Sequence, residues 1–155
     1  MHHGFLRILV VPGYECVDEL SRFLDRILSR FPGVKFFIIG EKWVVERVGK
    51  ALGRRVLARG NVVLYKVDHR IEKKFSEALR LFINVNPSLV IFFLRKFFEE
   101  GFDPRLFYPL ALNKEVPVYS YVKDKSSYIG VGEIVYSVAD LISLIERFYT
   151  NWRHT

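Results

Sequence analysis

The stretch ILVVPGYECVDEL, residues 8–20, decides the fold, because its hydrophobic pattern changes period at Pro12-Gly13. Before that pair the residues are continuously apolar, which is typical of a strand buried on both faces of a sheet. After it, apolar residues recur at three- and four-residue steps, which predicts an amphipathic helix. We therefore predict a strand over Arg7–Val11 and a helix that Pro32-Gly33 ends.

The same alternation of apolar runs and helical stripes continues along the chain. The further runs predicted as strands are Val34–Ile39, Asn61–Val67, Leu89–Leu94, Val116–Val122 and Ile129–Tyr136. Strands that are apolar throughout and alternate with helices indicate a parallel sheet covered on both faces. The predicted fold is α/β: a doubly wound, Rossmann-like, mostly parallel sheet of five or six strands with helices on both faces, forming a single domain over residues 1–155.

Three of the predicted helices carry specific expectations. The second, marked by apolar residues from Val44 to Leu52, is expected to close at Gly53. The last is expected to begin with Ser137 as its cap. The apolar stripe of the third predicts these inward-facing residues: Ile71, Phe75, Ala78, Leu79, Phe82 and Ile83.

Composition narrows the class of protein. Half of the 155 residues are hydrophobic, yet no apolar run approaches the roughly 20 residues that span a bilayer, so no membrane partner is expected. The N-terminal residues are interpreted as strand rather than as a signal peptide. A lone cysteine, Cys16, fits a reducing, cytoplasmic location, and we expect it to be a buried small hydrophobe. Absent glutamine, one methionine and abundant charge match the pattern of thermophilic proteins.

Motifs for common cofactors are missing. Gly13 stands alone, without the further glycines of G-x-G-x-x-G, and no G-x-x-x-x-G-K-[ST] occurs. The four histidines and the single cysteine show no spacing of metal ligands. We therefore predict neither a cofactor nor a metal, and the sequence identifies no catalytic residue.

In open α/β sheets, ligands bind outside the carboxyl ends of the strands where strand order reverses. If the first and fourth strands are neighbours, the loops at those ends carry more cations than anions, and helix N-termini add backbone donors. We predict a site for a small anionic, phosphate-bearing ligand, although exposed loops of this kind are also charged without binding anything. The predicted ligand-binding residues are Gly13, Tyr14, Gly40, Lys42, Arg70, Lys74, Arg95 and Lys96.

Two stretches, RILVVPGYECVDELSRFLDRIL and FFIIGEKWVVERVGKALG, place Gly13 and Gly40 at successive strand-to-helix corners. With PSLVIFFL as the fourth strand and Arg70 or Lys74 as a basic residue of the third helix, residues 7 to 122 resemble the SLOG superfamily of Rossmann-like nucleotide-binding domains. The resemblance implies a nucleotide-derived ligand. RKFFEEGF replaces the glycine-rich phosphate turn of that family, which implies a degenerate relative that binds without phosphoribohydrolase activity.

Other functions remain open from the sequence. A net charge of +7 and a pI near 9.6 favour anionic partners, so the alternative is a nucleic-acid-associated or self-assembling protein. The aromatic segment Phe97–Tyr108 is a predicted surface for a homo-oligomer. A degenerate hydrolase or transferase is the third alternative, and it requires Glu15, Glu41 or Asp68 in the crevice.

Overall fold

The computed structural model describes residues 4–13, 16–67, 74–93, 106–122 and 132–155, with the side chains of Lys74 and Phe75 left undescribed. Within these ranges the chain forms six strands and five helices. The strands are β1 (Leu6–Pro12), β2 (Val34–Glu41), β3 (Val62–Val67), β4 (Leu89–Phe93), β5 (Val118–Tyr121) and β6 (Glu133–Val135). The helices are α1 (Val17–Arg30), α2 (Lys42–Leu57), α3 (Lys74–Val85), α4 (Phe107–Asn113) and α5 (Val138–His154).

The strands form one sheet in the order β3-β2-β1-β4-β5-β6, and each adjacent pair is parallel. This arrangement confirms the predicted doubly wound, Rossmann-like class, and it makes the first and fourth strands neighbours, the condition on which the predicted ligand site depended. Strand order reverses between β1 and β4. The chain leaves β1 through α1 toward β2 on one side, and leaves β4 through α4 toward β5 on the other.

The continuous apolar character of β1 and β4 follows from burial on both faces of the sheet. Alternate residues of each strand enter two core clusters, one shared with α1, α2 and α5 and the other with α3 and α4. The rings of Phe23, Phe36 and Phe93 are fully buried in the first cluster, with centroids 5.5 to 5.7 Å from Phe23 to each of the other two. Because each such residue removes a large apolar surface from water, this cluster fixes α1 on β1, β2 and β4.

Of two expectations about the helices, one is confirmed and one is wrong in part. Gly53 adopts φ 79° and ψ 168°, a non-helical conformation that suits glycine, so the regular helix that begins at Lys42 is interrupted there, and a further helical turn completes α2 as far as Leu57. In the third helix Ala78 and Phe82 are buried as predicted, but the prediction is wrong for Leu79 and Ile83, which are 38 % and 61 % exposed. Leu81 and Val85 complete the inward side of α3, and Ile71 and the Phe75 side chain lie outside the described residues.

The final helix agrees with its prediction at the N-terminus. The Ser137 hydroxyl accepts a hydrogen bond from the Asp140 backbone N–H at 3.0 Å, so it caps α5. Leu141 and Ile145 are fully buried, as their spacing indicates, and Tyr149 continues the same buried side. Among the described residues, no helix combines the length and apolar character that crossing a bilayer requires.

Candidate functional site

The reversal of strand order creates a corner where β1 and β4 end side by side. Pro12 and Phe93 are register partners at the last paired position of these two strands. Among the described residues, α1 packs on one face of the sheet and α4 on the other. In doubly wound domains the connections diverge at such a position, and ligands bind at this carboxyl-terminal edge of the sheet.

Gly13 forms the turn between β1 and α1. It is buried, and its carbonyl oxygen accepts a hydrogen bond from the Cys16 backbone N–H at 3.2 Å. Cys16 stands at the N-cap without a side-chain capping bond and is 1 % exposed, which confirms its predicted role as a buried small hydrophobe. The first turn of α1 contains Asp18 and Glu19, which already complement the positive end of the helix dipole. The N-terminus of α1 can therefore supply amides, whereas cations must come from other elements.

Gly40 lies where the tips of β1 and β2 meet. A Cβ at this position would stand 3.2 Å from Pro12 Cδ, 3.3 Å from Pro12 Cγ and 3.7 Å from Val45 Cγ2. The absence of a side chain thus lets the Pro12 ring pack directly on the backbone of β2. Glycine at this corner is explained by close packing between strand tips.

The next residue, Glu41, is a carboxylate built into the end of β2. It is 6 % exposed, and its Oε2 accepts a hydrogen bond of 2.7 Å from the indole Nε1 of Trp43. Its Oε1 is buried with no hydrogen-bond donor in reach among the residues that the structure describes. Although Glu41 is the N-cap residue of α2, its side chain makes no capping bond. The carboxylate therefore holds the Trp43 ring, which is itself 45 % exposed at the start of α2.

The charge of the described part of this edge is balanced. Lys42 is exposed at the first position of α2, a turn without acidic residues. Lys66 donates to Glu46 Oε1 at 3.1 Å. This hydrogen bond is the main reason that the pKa of Glu46 is lowered, and the charges of Lys66, Lys42 and Lys50 add to it. The predicted excess of cations over anions consequently rests on residues outside the described ranges.

The structure brings three of the eight predicted ligand-binding residues, Gly13, Gly40 and Lys42, to the tips of β1 and β2. The Lys74 backbone begins α3, and its side chain is not described. The other four lie outside the described residues: Tyr14, Arg70, Arg95 and Lys96. No ligand-binding role was predicted for Glu41 or Trp43, since a Glu-x-Trp spacing at a strand end is no known signal.

Several other side chains can be located in the structure. Tyr119 and Tyr121 lie on one sheet face and join the first core cluster, so packing explains them. Within the Phe97–Tyr108 segment predicted as a surface for self-association, Phe107 is fully buried in the second cluster and Tyr108 is half-buried, so Phe107 itself is not part of a surface. Residues 97–105 of that segment lie outside the described ranges, as do Glu15 and Asp68. No cluster of metal-ligating side chains occurs within the described ranges.

The fold is similar to that of several larger solved proteins. TarM superposes with a TM-score of 0.60 at 20 % identity, over 97 % of this chain and 29 % of TarM. The glycosyltransferase GlyE of Streptococcus pneumoniae TIGR4 gives a TM-score of 0.56 at 16 % identity, over 95 % of this chain and 33 % of GlyE. MurG of Acinetobacter baumannii gives 0.51 at 14 % identity, over 88 % of this chain and 38 % of MurG.

At these low sequence identities, the superpositions show that the Rossmann-like fold is shared, and they do not show a shared activity. This chain spans between 29 % and 38 % of the length of those three proteins. No protein-family model matches the chain, and no curated protein matches it significantly by sequence.

Proposed function

We propose that this domain binds a phosphate-bearing, nucleotide-derived small molecule at the carboxyl-terminal edge of its sheet. The observation that carries the proposal is the reversal of strand order between β1 and β4, the position at which doubly wound domains bind their ligands, with Gly13 and Gly40 at the neighbouring strand tips. The fold likeness to a glycosyltransferase directs the first tests toward nucleoside diphosphates and nucleotide sugars. A degenerate relative of the SLOG superfamily, working in the cytoplasm, is the family context that we propose for this activity.

The role that we propose for each side chain at this edge of the sheet follows from its chemistry. Lys42 pairs with a phosphate at the start of α2, where the helix dipole adds to its charge. The predicted basic residues outside the described ranges complete the phosphate site. Trp43 offers an exposed indole face on which a base can stack, and Glu41 fixes that ring through its Nε1. Glu41 thus acts as a positioning residue.

Thermal unfolding with a panel of nucleoside diphosphates, nucleotide sugars and sugar phosphates tests the proposal. At one hundred times its dissociation constant, a bound nucleotide stabilises the fold by about 2.7 kcal/mol. For a domain of this size, that corresponds to a rise in Tm of about 5 to 11 °C. A panel in which every compound leaves Tm unchanged at millimolar concentration contradicts the proposal.

A pair of lysine variants localises the site. Lys42→Ala should weaken binding of the responding nucleotide by about tenfold, because a charge-assisted hydrogen bond to phosphate is lost. Lys50→Ala removes the same charge from the exposed surface of the same helix and should change affinity less than twofold. Trp43 fluorescence in a Trp152→Phe background supplies the signal, since the chain contains two tryptophans. Equal effects of the two lysine variants would refute a phosphate site at the start of α2.

A further inference from the structure

One part of the sheet is not covered by any helix among the described residues. On the side that carries α3 and α4, the amino-terminal halves of β1, β2 and β3 leave side chains exposed or half-buried. We call the following residues the open sheet face: Phe5, Arg7, Lys35, Phe37 and Val63. Phe5 is 48 % exposed and Val63 is 36 % exposed. A parallel sheet normally has both faces covered, so this exposure requires an explanation.

The register of the strands concentrates positive charge on the open sheet face. Arg7 and Lys35 are direct partners across β1 and β2, and successive same-face residues place Phe37 beside Val63 in the next row. Two cations side by side repel each other, and an anion above them would remove that repulsion. A second copy of the chain would bring further cations to the same place. The charge pattern therefore favours an anionic partner over self-association through this face.

Aromatic rings alternate with the cations. Lys35 Nζ lies 5.6 Å from the ring centroids of both Phe5 and Phe37. Next to the open sheet face, where α3 packs on β3, the Arg80 guanidinium lies 5.8 Å from the ring centroid of Tyr65. It donates a hydrogen bond of 2.6 Å to the Tyr65 hydroxyl. Among the described residues, the carboxylate of Glu77 also lies here, with its Oε1 3.8 Å from a guanidinium nitrogen of Arg80. The exposed ring of Phe5 and the half-buried ring of Phe37, flanked by cations, match the chemistry of bases that stack while phosphates pair with Lys and Arg.

We propose that the open sheet face binds single-stranded nucleic acid. Its bases stack on Phe5 and Phe37, and its phosphates pair with Arg7 and Lys35. A duplex keeps its bases within its own stack, so it offers these rings nothing. The net charge of +7 supplies the long-range attraction that brings such a strand to the surface. This surface lies toward the amino-terminal ends of the strands, and the inference does not depend on a nucleotide at the opposite edge.

Fluorescence anisotropy with labelled ten-residue oligouridylate and oligothymidylate tests the proposal on the full chain. The double variant Arg7→Ala/Lys35→Ala should lose at least tenfold in affinity. It should also lower the slope of log affinity against log salt by about 1.4, at about 0.7 for each of two phosphates. The matched control, Arg22→Ala/Arg26→Ala, lowers the net charge equally, from +7 to +5, on the exposed surface of α1. It should change affinity less than twofold, and equal losses in the two variants would overturn the proposal.

A second pair of variants tests stacking separately from charge. Phe5→Leu keeps an apolar side chain but removes the ring, and it should weaken binding about fivefold or more. Tyr136→Leu, which removes another exposed ring, should leave the affinity unchanged. A labelled hairpin duplex should bind at least tenfold more weakly than the single strands. A duplex that binds equally well overturns the proposal, as does the absence of any binding in low salt.

Sedimentation velocity tests the alternative that a second copy of this chain binds to the open sheet face. We expect the chain without nucleic acid to show the same sedimentation coefficient in the wild type and in Arg7→Ala/Lys35→Ala. A dimer whose stability this double variant changes, in either direction, would assign the open sheet face to self-association and overturn the proposal. Circular dichroism of each variant verifies that it is folded.

Discussion

The bond between Glu41 and Trp43 gives the sharpest prediction about the end of β2. Trp43→Phe removes the indole donor from a carboxylate that is 6 % exposed and whose other oxygen has no donor among the described residues. Hydrogen bonds to charged groups contribute about 1.5 to 3 kcal/mol, and a buried acceptor left without its donor bears the full cost of desolvation. We expect Trp43→Phe to lower the free energy of unfolding by about 2 kcal/mol.

The partner variant should behave differently. Glu41→Met replaces the carboxylate by an apolar side chain of similar shape, and the indole N–H of the half-exposed Trp43 can then bond to water. We expect a cost below about 1 kcal/mol, because no buried group loses its partner. In the double variant the tryptophan substitution should have almost no further effect, which gives a coupling energy of about 1.5 kcal/mol or more.

Guanidinium denaturation at neutral pH measures all four proteins of this cycle, with an m-value that stays constant across the set. A coupling energy below about 0.5 kcal/mol would refute the reasoning, because it would show that the 2.7 Å bond contributes no more than an exposed pair. In that case Glu41 would not position Trp43.

Three further predictions concern stability. Ser137→Ala should lower the free energy of unfolding by about 1 kcal/mol, since it removes the cap of α5, and thermal denaturation measures this loss. Gly132→Ala should cost about 2 kcal/mol or more in guanidinium denaturation, because Gly132 has φ +72° and a Cβ there would lie 2.8 Å from the Val118 carbonyl carbon; an unchanged midpoint would contradict this account. Burial, and then the charge of Glu133, raise the pKa of Tyr119 above 10.0, so its contribution to stability is complete below that pH and is lost as pH rises through the folded-state pKa. The free energy of unfolding of wild type should therefore decline more steeply above pH 10 than that of Tyr119→Phe, and parallel profiles would count against this shift.

Packing around Gly40 explains why a glycine stands at this position of the candidate site. The sequence places a glycine between a strand and a helix without the further glycines of a phosphate-binding motif. The structure gives that glycine a packing reason, since Pro12 of the neighbouring strand occupies the space of a side chain. A ligand at this corner would approach a surface already shaped by contacts between strand tips.

The buried side of the third helix could not be predicted from its hydrophobic pattern alone. Its apolar residues cover so much of the helix that two overlapping stripes are compatible with helical spacing. Packing against the second core cluster selects the side with Leu81 and Val85, and leaves Leu79 and Ile83 exposed. Which stripe is buried depends on the rotation of α3 against the sheet, and residues distant in sequence set that rotation.

The sequence by itself determined the alternation of strands and helices, because hydrophobic periodicity and the punctuation by proline and glycine are local properties. It also placed Gly13, Gly40 and Lys42 in turns that follow strands, and right-handed crossovers leave few topologies for such a chain, but the strand order with β1 beside β4 came from the tertiary structure. Only the tertiary structure revealed the buried Glu41 that holds Trp43, and the cations Arg7 and Lys35 side by side on the open sheet face. Burial and cross-strand register arise from contacts between residues far apart in the chain, and no local pattern encodes them.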